Sequence, residues 1–439
     1  MIKLQEHKDL TEDKNIESAS LPPRVFISLQ QHLGKPLDII KVKTGDLVKR
    51  GQCLAASDKG LFSPVHASIS GVVKGIGNYP HPLIGFCRGI AVEGDALDEG
   101  HEAMVPRSPE EVDALSVDEL RQVVFEAGIV GLGGAAFPSH IKLTPARPIN
   151  DFIVNGAECE PYLTTDYRLM VEKPEQIIKG VKLITKIVNP HNCYIAIEDN
   201  KPQAIKIMRE QARAFNWEVV VLKTGYPQGG EKQVIKSCLG REVPSGKLPF
   251  DIGVLVHNVA TIYAIYEAVY LRKPLYERVI TVSGTCLTHP KNILARIGTP
   301  VKDLVQQCGP LIREPKKIIM GGPMMGIAQF TMDIPVIKGT SGIILLDDTE
   351  AGPWHSGPRL GLDKESFCVR CGECVEHCPV GLNPGFIALA IAKDRLDLAE
   401  EYGILDCIEC GLCAYLCPSR RNIVQAIKAA KVRIRSGKK

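Results

Sequence analysis

CVRCGECVEHCP (368–379) and CIECGLCAYLCP (407–418) are the two stretches that decide the fold of the C-terminal part of this chain. Each has the spacing C-x2-C-x2-C-x3-C-P, and equivalent cysteines lie 39 residues apart. Three thiolates on one short loop can bind three corners of a cubane cluster, whereas the fourth begins the next segment and binds the other cluster. The spacing therefore predicts a ferredoxin-like domain that holds two [4Fe–4S] clusters.

The same rule divides the eight cysteines between the two predicted clusters. The first cluster is assigned Cys368, Cys371, Cys374 and Cys417. The second cluster is assigned Cys378, Cys407, Cys410 and Cys413. Structural zinc also accepts four thiolates, but it explains neither the third cysteine of each run nor the proline after each fourth cysteine. The motif favours iron–sulfur clusters, and therefore a protein that transfers electrons.

The composition is that of a soluble globular protein with several domains. Of the 439 residues, 45% are hydrophobic and 23% are charged, so three or four domains of about 100–150 residues are expected. A net charge of +3 does not indicate a nucleic-acid partner. The sequence contains no run of about 18 apolar residues, so no segment is predicted to span a bilayer.

The compartment is predicted from the N-terminus and from the remaining cysteines. The opening MIKLQEHKDLTEDKN (1–15) is charged and lacks the apolar core of a secretory signal. Seven further cysteines are scattered without a pairing pattern, as is typical of a reducing compartment. They are Cys53, Cys87, Cys159, Cys193, Cys238, Cys286 and Cys308. We therefore expect the cytoplasm or the cytoplasmic face of a membrane.

Residues 1–100 are predicted to form a small β domain. Between residues 22 and 95, short apolar runs alternate with Gly and Pro, which is typical of many short strands. The segment resembles the half-barrel of lipoyl and biotinyl domains, and the turn at Lys59 resembles a lipoylated one. The segment from Lys59 to Pro64 is too short for the strand that normally follows a modified lysine, so a plain β scaffold is favoured.

Residues 101–275 are predicted to form an α/β domain. Helical patterns alternate with apolar runs that are typical of strands, and this order favours a largely parallel sheet. The predicted strands are 151–155, 193–197, 217–222 and 252–258.

The rest of the chain is predicted to hold two smaller units. Residues 276–350 show strands around one helix of about ten residues, which indicates a small α+β module. Residues 351–439 form the cluster domain, which begins with a Gly- and Pro-rich linker at 351–361. Between its two cysteine runs, residues 384–403 have a helical pattern.

The stretch GIVGLGGAAFP (128–138) is the first candidate ligand-binding loop. It contains G-x-G-x-x-A, but a predicted helix precedes it where a dinucleotide-binding motif requires a strand. Its glycines still allow backbone N–H groups to approach a phosphate or a flat ring closely. A tight turn between two helices is the structural alternative.

Three further polar motifs follow predicted strands, where α/β sheets place ligands. They are NGAECEP (155–161), YPQGGEKQ (226–233) and HNVAT (257–261). Together with GLGGAAFP (131–138) and both cysteine runs, they resemble the C subunit of the Rnf complex, a membrane-bound ferredoxin:NAD+ oxidoreductase coupled to ion transport. The resemblance covers essentially the whole chain. The central part is more distantly similar to the flavin-bearing, NADH-oxidising subunit of respiratory complex I.

The resemblance implies a bound FMN, an NAD(H) site and a ligand-binding β-grasp module at 276–350. The residues that it implies around FMN are Gly131, Gly133, Gly134, Lys142, Asn155, Glu158, Tyr226, Asn258 and Thr261. Those that it implies around NADH are Phe137, Glu160 and Glu231. Two positions depart from the complex I relative: Lys232 replaces the second of two successive glutamates, and Pro145 lies near the place of a second aromatic residue. Hydride transfer to a flavin requires no catalytic acid or base from the protein.

The implied partners are the other subunits of such a complex: the iron–sulfur subunit that accepts electrons from ferredoxin, and the integral membrane subunits. A flavin is also expected on chemical grounds, because NAD(H) exchanges two electrons with its hydride whereas a [4Fe–4S] cluster takes one. The tail after Cys417 is basic and holds no acid. It indicates either a surface for an acidic partner or lipid, or a solvated terminal helix.

Each implied ligand also has a purely structural interpretation. Asn258 and Thr261 can cap a helix, Tyr226 and Phe137 can pack in the core, and the other polar residues can be solvated. Two other functions remain open at this point. One is a flavin and iron–sulfur cobalamin reductase of a metabolic microcompartment, and the other is a scaffold subunit with clusters but no flavin.

Overall fold

The computed structural model describes residues 1–58, 60–348 and 365–437. Lys59, considered above for lipoylation, and the predicted linker at 351–361 lie outside the described residues. The described chain folds into a β half-barrel, an α/β domain, a mixed-sheet module and a helical domain that carries the cysteine runs. In these three stretches the longest helix has 15 residues, and none combines the length and the apolar composition needed to cross a bilayer.

The N-terminal segment extends away from the half-barrel. Its strand β1 (Ile16–Ser18) joins, in parallel, a sheet that forms much later in the chain. Lys8, which is buried, reaches into the α/β domain and donates to three backbone carbonyl oxygens at 2.5–3.0 Å. These acceptors belong to Glu158, Glu160 and Leu163. The first residues therefore fix a loop of a distant domain, because a buried ammonium group needs every one of its acceptors.

The half-barrel consists of two antiparallel sheets. Its strands are β2 (Arg24–Ser28), β3 (Ile39–Ile40), β4 (Leu47–Val48), β5 (Cys53–Ala56), β6 (Val65–His66), β7 (Gly71–His81) and β8 (Gly85–Gly94). One sheet has the order β2-β8-β7-β4 and the other β3-β5-β6. Alternate residues of β2, Val25 and Ile27, are fully buried, as expected for a strand with one face on the core. The predicted small β domain is confirmed.

The α/β domain is built on a parallel sheet, as predicted. Its strands are β9 (Asp151–Gly156), β10 (Asn192–Glu198), β11 (Glu218–Leu222) and β12 (Val254–Asn258). Its helices are α1 (Pro109–Ala114), α2 (Val117–Glu126), α3 (Ser139–Lys142), α4 (Thr165–Glu172), α5 (Pro174–Val188), α6 (Pro202–Ala212), α7 (Glu231–Leu239) and α8 (Val259–Tyr270). The strand order is β11-β10-β9-β12, and every pair is parallel.

Helix α5 packs against α8 through one apolar face. Ile177, Val181 and Ile184 recur at helical spacing and are fully buried. Gly180 permits the close approach, because a Cβ at this position would lie 2.4 Å from the carbonyl oxygen of Ile262. Helix α8 begins directly where β12 ends, so its first turn stands at the carboxyl edge of the sheet.

The mixed-sheet module contains one short helix. Its elements are β13 (Glu277–Ser283), β14 (Lys291–Arg296), α9 (Val301–Gln306), β15 (Lys317–Met320), β16 (Ile327–Gln329) and β17 (Gly342–Leu346). The sheet order is β1-β14-β13-β17-β15-β16. Helix α9 has six residues rather than the ten or so expected; the chain continues as a turn through Gln307 and Cys308 and reaches Gly309, whose φ of +81° is left-handed.

The cysteine-bearing domain is helical in its described part. Its helices are α10 (Glu373–Glu376), α11 (Pro384–Ala392), α12 (Leu396–Glu401), α13 (Leu412–Tyr415) and α14 (Ile423–Arg435). The segment predicted to be helical at 384–403 forms two helices, because Asp394 adopts a left-handed φ of 55° between them. Ile387 of α11 and Ile427 of α14 are fully buried in the core of this domain.

Candidate functional site

The glycine-rich loop closes on itself through its backbone. The N–H of Gly131 donates to the carbonyl oxygen of Phe137 at 2.8 Å, and the N–H of Ala136 donates to that of Gly131 at 3.1 Å. Gly133 and Gly134 are exposed at the tip, and Phe137 is half-buried at the end of the loop. Gly134 has a φ of +116°, which side chains disfavour. The loop is therefore a fixed turn that exposes its own backbone.

The tip of this loop lies against the first turn of α8. The N–H of Leu132 donates to the hydroxyl of Thr261 at 2.8 Å, and a Cβ at Gly133 would lie 3.3 Å from the Cβ of Asn258. Within the described residues, no acceptor pairs with the N–H groups of residues 133–135. Free N–H groups beside a helix N-terminus fit the phosphate of a flavin nucleotide.

A buried arginine supports the loop from the mixed-sheet module. Arg278 of β13 donates to the carbonyl oxygens of Leu132 at 3.2 Å and of Lys338 at 2.5 Å. Burial lowers the pKa of Arg278 to about 10, against the opposing effect of the Asp166 carboxylate. The guanidinium therefore stays charged at neutral pH and favours an anionic ligand at the loop.

An amide and two carboxylates form one network at the edge of the sheet. Asn258 caps α8, as its structural interpretation predicted, because its Oδ1 accepts the N–H of Ala260 at 2.9 Å. Its Nδ2 donates to Asp166 at 2.6 Å. The carboxylate of Glu158 accepts the N–H groups of Asp166 (2.7 Å) and Tyr167 (3.2 Å) and so stabilises the start of α4. Burial first, and then the charge of Glu158, raises the pKa of Asp166.

Two further contacts bring implied ligands together beside this network. Lys142 forms an ion pair with Glu231 at 2.5 Å and also donates to the carbonyl oxygen of Val256 at 2.9 Å. Asn155, at the end of β9, donates to the carbonyl oxygen of Gly229 at 2.9 Å. The structure therefore joins the lysine implied for FMN to the glutamate implied for NADH, and fixes the loop at 226–233 to the sheet.

Tyr226 and Glu160 point toward other domains. Tyr226 is 1% exposed, and its hydroxyl donates to the carbonyl oxygen of Cys410 at 2.6 Å. The carboxylate of Glu160 accepts the N–H groups of Met324 at 3.0 Å and Met325 at 2.8 Å. Both side chains therefore connect the α/β domain to its neighbours. Their assignments to FMN and NADH stay predictions.

Each fourth cysteine lies beside the other cysteine run. Burial raises the pKa of Cys374, and neighbouring Cys417 adds to that rise. Burial also raises the pKa of Cys410 to about 11 and that of Cys413, with neighbouring Cys378 contributing to both. This proximity fits two cubanes that each take one ligand from the other run. Among the described residues, no three His, Cys, Asp or Glu side chains converge as the ligands of a single metal ion do. A cubane cluster does not require such convergence, because each thiolate binds a different iron.

The two cysteine runs differ in their surroundings. Cys368 and Cys371 of the first run are exposed, whereas Cys410 and Cys413 of the second are buried. Cys410 packs in an apolar group with Tyr226. The second run is therefore the more enclosed of the two, and its Cys410 lies beside the α/β domain.

Sequence reasoning missed three charged residues that support the site: the buried Lys8 and Arg278, and the half-buried Asp166. Lys8 and Arg278 act on loops 146 or more positions away. Each is a single charged residue in an otherwise ordinary segment, so no spacing pattern marks it. Asp166 is closer to its partners, but only the folded chain brings it to Asn258.

Four family models match successive parts of the chain. They are described as the RnfC barrel sandwich hybrid domain (residues 2–97), the Nuo51 FMN-binding domain (124–267), the SLBB domain (279–328) and a 4Fe-4S dicluster domain (360–434). The chain therefore contains FMN-binding and 4Fe–4S domains, in addition to the half-barrel.

Relatives match over nearly the full length. The C subunit of the proton-translocating ferredoxin:NAD(+) oxidoreductase complex of Clostridium ljungdahlii is 47% identical, over 97% of this chain and 91% of the relative. The Na(+)-translocating counterpart of Acetobacterium woodii is 41% identical, over 97% of this chain and 94% of the relative. A solved NAD+-reducing [NiFe]-hydrogenase in the H2-reduced state has a TM-score of 0.51 and 17% identity, over 76% of this chain and 72% of that chain. This last likeness shows a shared fold.

The half-buried carboxyl of Glu160 makes the junction between domains sensitive to pH. Burial raises its pKa from 4.5 to about 7, although the N–H groups of Met324 and Met325 oppose the rise. Between these values the folded state binds more protons than the unfolded state, so this group contributes less stability as pH rises from about 4.5 to 7. We predict that Glu160→Gln, which cannot titrate, gains stability relative to wild type over that range.

Denaturant midpoints measured at intervals between about pH 5 and pH 8 test this prediction. The exposed Glu210 of α6 supplies the control. The denaturant midpoint of Glu210→Gln should change with pH as that of the wild-type protein does. If the Glu160→Gln and wild-type midpoints run parallel across the range, the Glu160 carboxyl does not cause the pH dependence of stability.

Proposed function

Because the chain belongs to the family of C subunits of ion-translocating ferredoxin:NAD(+) oxidoreductase complexes, we propose that it is the peripheral electron-transfer subunit of such a complex. In this role it is an NAD(H)-dependent oxidoreductase that exchanges electrons among NAD(H), FMN and two [4Fe–4S] clusters. The observation that carries the proposal is the hydrogen bond from Tyr226 to Cys410. It links the part matched by the FMN-binding model to the part matched by the 4Fe–4S model.

Bound FMN supplies the conversion between two-electron exchange with NAD(H) and one-electron exchange with the clusters. In our proposal its phosphate lies at the tip formed by Gly131, Gly133 and Gly134, beside the start of α8. Thr261 and Asn258 hold that tip against the helix. The remaining residues proposed to contact FMN are Lys142, Asn155, Glu158 and Tyr226. The existing hydrogen bonds of these side chains give them fixed orientations before the ligand arrives.

The dinucleotide is proposed to bind beside Phe137, Glu160 and Glu231. The ring of Phe137 is half-buried and follows the exposed tip of the glycine-rich loop, which suits it to stack on a flat base. Glu231 is held by its ion pair with Lys142. The chain's part in hydride transfer is to orient the two ring systems and exclude water.

The enclosure of the second run supports an order for the two clusters. We propose that the cluster held by Cys378, Cys407, Cys410 and Cys413 is next to the flavin. The cluster held by Cys368, Cys371, Cys374 and Cys417 is then farther away. Cys410 is buried beside the α/β domain and Cys413 is buried in the core of its own domain, whereas Cys368 and Cys371 are exposed. The first cluster is thus the one that a redox partner can approach.

The proposed partners are the other subunits of the complex. They comprise an iron–sulfur subunit that accepts electrons from ferredoxin, and integral membrane subunits, with this chain on the cytoplasmic face of the membrane. The names of the relatives support a multi-subunit, ion-translocating assembly. Their match over nearly the whole chain favours this role over a microcompartment reductase or a flavin-free scaffold.

Anaerobic titration of the reconstituted protein with NADH tests the proposed function. Flavin absorbance should bleach, and the electron paramagnetic resonance (EPR) signals of reduced clusters should follow. A preparation with about eight irons per chain that neither binds FMN nor responds to NADH would contradict the proposal.

Phe137→Ala should weaken NADH binding by about 2- to 13-fold, because an aromatic stacking contact is worth about 0.5–1.5 kcal/mol. Steady-state KM for NADH measures the loss, with iron and flavin content measured in the same preparations. Phe330→Ala removes an exposed ring elsewhere and serves as the control. Loss of iron in Phe137→Ala, or an unchanged KM, would contradict the site assignment.

Replacing one ligand of each cluster tests the order of electron transfer. Cys378→Ala should allow NADH to bleach the flavin but leave the remaining cluster oxidised, because the cluster next to the flavin is lost. Cys368→Ala should still allow NADH to reduce one cluster. Freeze-quenched EPR spectra distinguish the two variants, and the reverse pattern would show that the first cluster is the one next to the flavin.

A further inference from the structure

Lys431 is buried beside the second cysteine run. It lies on α14, within the basic tail, yet it is 4% exposed, whereas both interpretations of the tail, a partner or lipid surface and a solvated helix, place its cations in solvent. Its Nζ donates to the carbonyl oxygen of Cys407 at 2.6 Å and to the carboxylate of Glu409 at 2.7 Å. Both acceptors belong to the loop CIEC (407–410), which carries two ligands of the proposed second cluster. A buried cation is therefore held against the cluster loop itself.

The two cysteine runs differ in charge at equivalent positions. Glu409 lies 39 residues after Arg370, and both have a left-handed φ, 59° and 55° respectively. The loops therefore share a left-handed backbone at this position, but the first carries an exposed cation there and the second carries an anion. The position 39 residues before Lys431 is Ala392. The buried cation is thus specific to the second loop, where it pairs with the anion that this loop carries.

Charge near a cluster sets the free energy of its reduction. An added electron makes the cluster more negative, so a nearby cation stabilises the reduced form and a nearby anion destabilises it. These effects are strong where burial limits screening by water and salt. The carboxylate of Glu409 alone would make the second cluster harder to reduce.

We propose that Lys431 is a positioning residue that raises the reduction potential of the second cluster by neutralising Glu409 and fixing the Cys407–Cys410 loop. The inference rests on the proposed function only in requiring that the clusters assemble. It makes the second cluster a better acceptor of electrons from the flavin. It also gives the two otherwise similar clusters different potentials within one domain.

The proposal predicts opposite effects from the two members of the pair. Lys431→Met leaves an unpaired carboxylate beside the loop and should shift the midpoint potential of one cluster downward. Glu409→Gln leaves an unpaired ammonium group and should shift the midpoint of the same cluster upward. Lys431→Arg keeps the charge and should stay closer to wild type than Lys431→Met. A role in folding alone would not give shifts of opposite sign.

The experiment is an anaerobic redox titration of the full chain with reconstituted clusters, followed by EPR. Iron content is measured for every preparation. Arg433→Met is the matched control, because it removes a cation from the same helix, where Arg433 pairs with Asp394 at a largely exposed site. That variant should leave both midpoints at their wild-type values.

Shifts of opposite sign, confined to one of the two cluster signals, support the proposal. Unchanged midpoints, or shifts of the same sign, in variants that retain their iron would overturn it. If Lys431→Met loses the second cluster, the test depends on the midpoint potential of that cluster in Glu409→Gln. An upward shift supports the proposal, and an unchanged midpoint potential overturns it. Failure of the wild-type chain to assemble clusters would instead contradict the proposed function, so the two failures are distinguishable.

Discussion

The hydrogen bond from the Tyr226 hydroxyl to the Cys410 carbonyl oxygen joins the α/β domain to the second cysteine run, and the proposed electron transfer requires these two parts of the chain to be in contact. An electron moves between bound groups only across short distances, so a cluster loop must be held close to the FMN-binding domain. An apolar group of Leu4, Tyr226, Cys410 and Leu412 surrounds this bond. The backbone of Met324 also lies close to Gly411: a Cβ built on Gly411 would be 2.8 Å from the Met324 carbonyl oxygen. The N-terminal segment, the α/β domain and the mixed-sheet module thus all contact one cluster loop.

Buried lysines connect domains that the chain order keeps apart. Lys338 of the mixed-sheet module donates to carbonyl oxygens of Pro64 in the half-barrel and Gly128 after α2, both at 2.6 Å. Burial lowers its pKa to about 7. Lys8 makes the equivalent connection from the N-terminus to the loop at 158–163. Each acceptor offsets part of the cost of taking a cation out of water, so such a residue holds its partners in one arrangement.

The structural and functional interpretations of the implied ligands are compatible. Asn258 caps α8 and at the same time holds Asp166 and borders the glycine-rich loop. Glu158 stabilises the start of α4 while standing at the edge of the sheet where ligands of such folds bind. A site built from residues that already have partners is rigid before its ligand binds, and little conformational entropy is then lost on binding.

The sequence by itself determined the features that depend on local spacing. Cysteines separated by two and three other residues specify a cluster loop, alternating apolar runs specify the strands, and motifs at strand ends mark the edge that carries the candidate site. Only the tertiary structure decided which cysteine run is enclosed, that Tyr226 faces Cys410, and that Lys431 is buried rather than solvated. The physical reason is that each of these outcomes depends on contacts between single residues far apart in the chain. Such contacts produce no regular spacing in the sequence, whereas cluster loops, strands and helices are marked by particular residue types at fixed, short spacings.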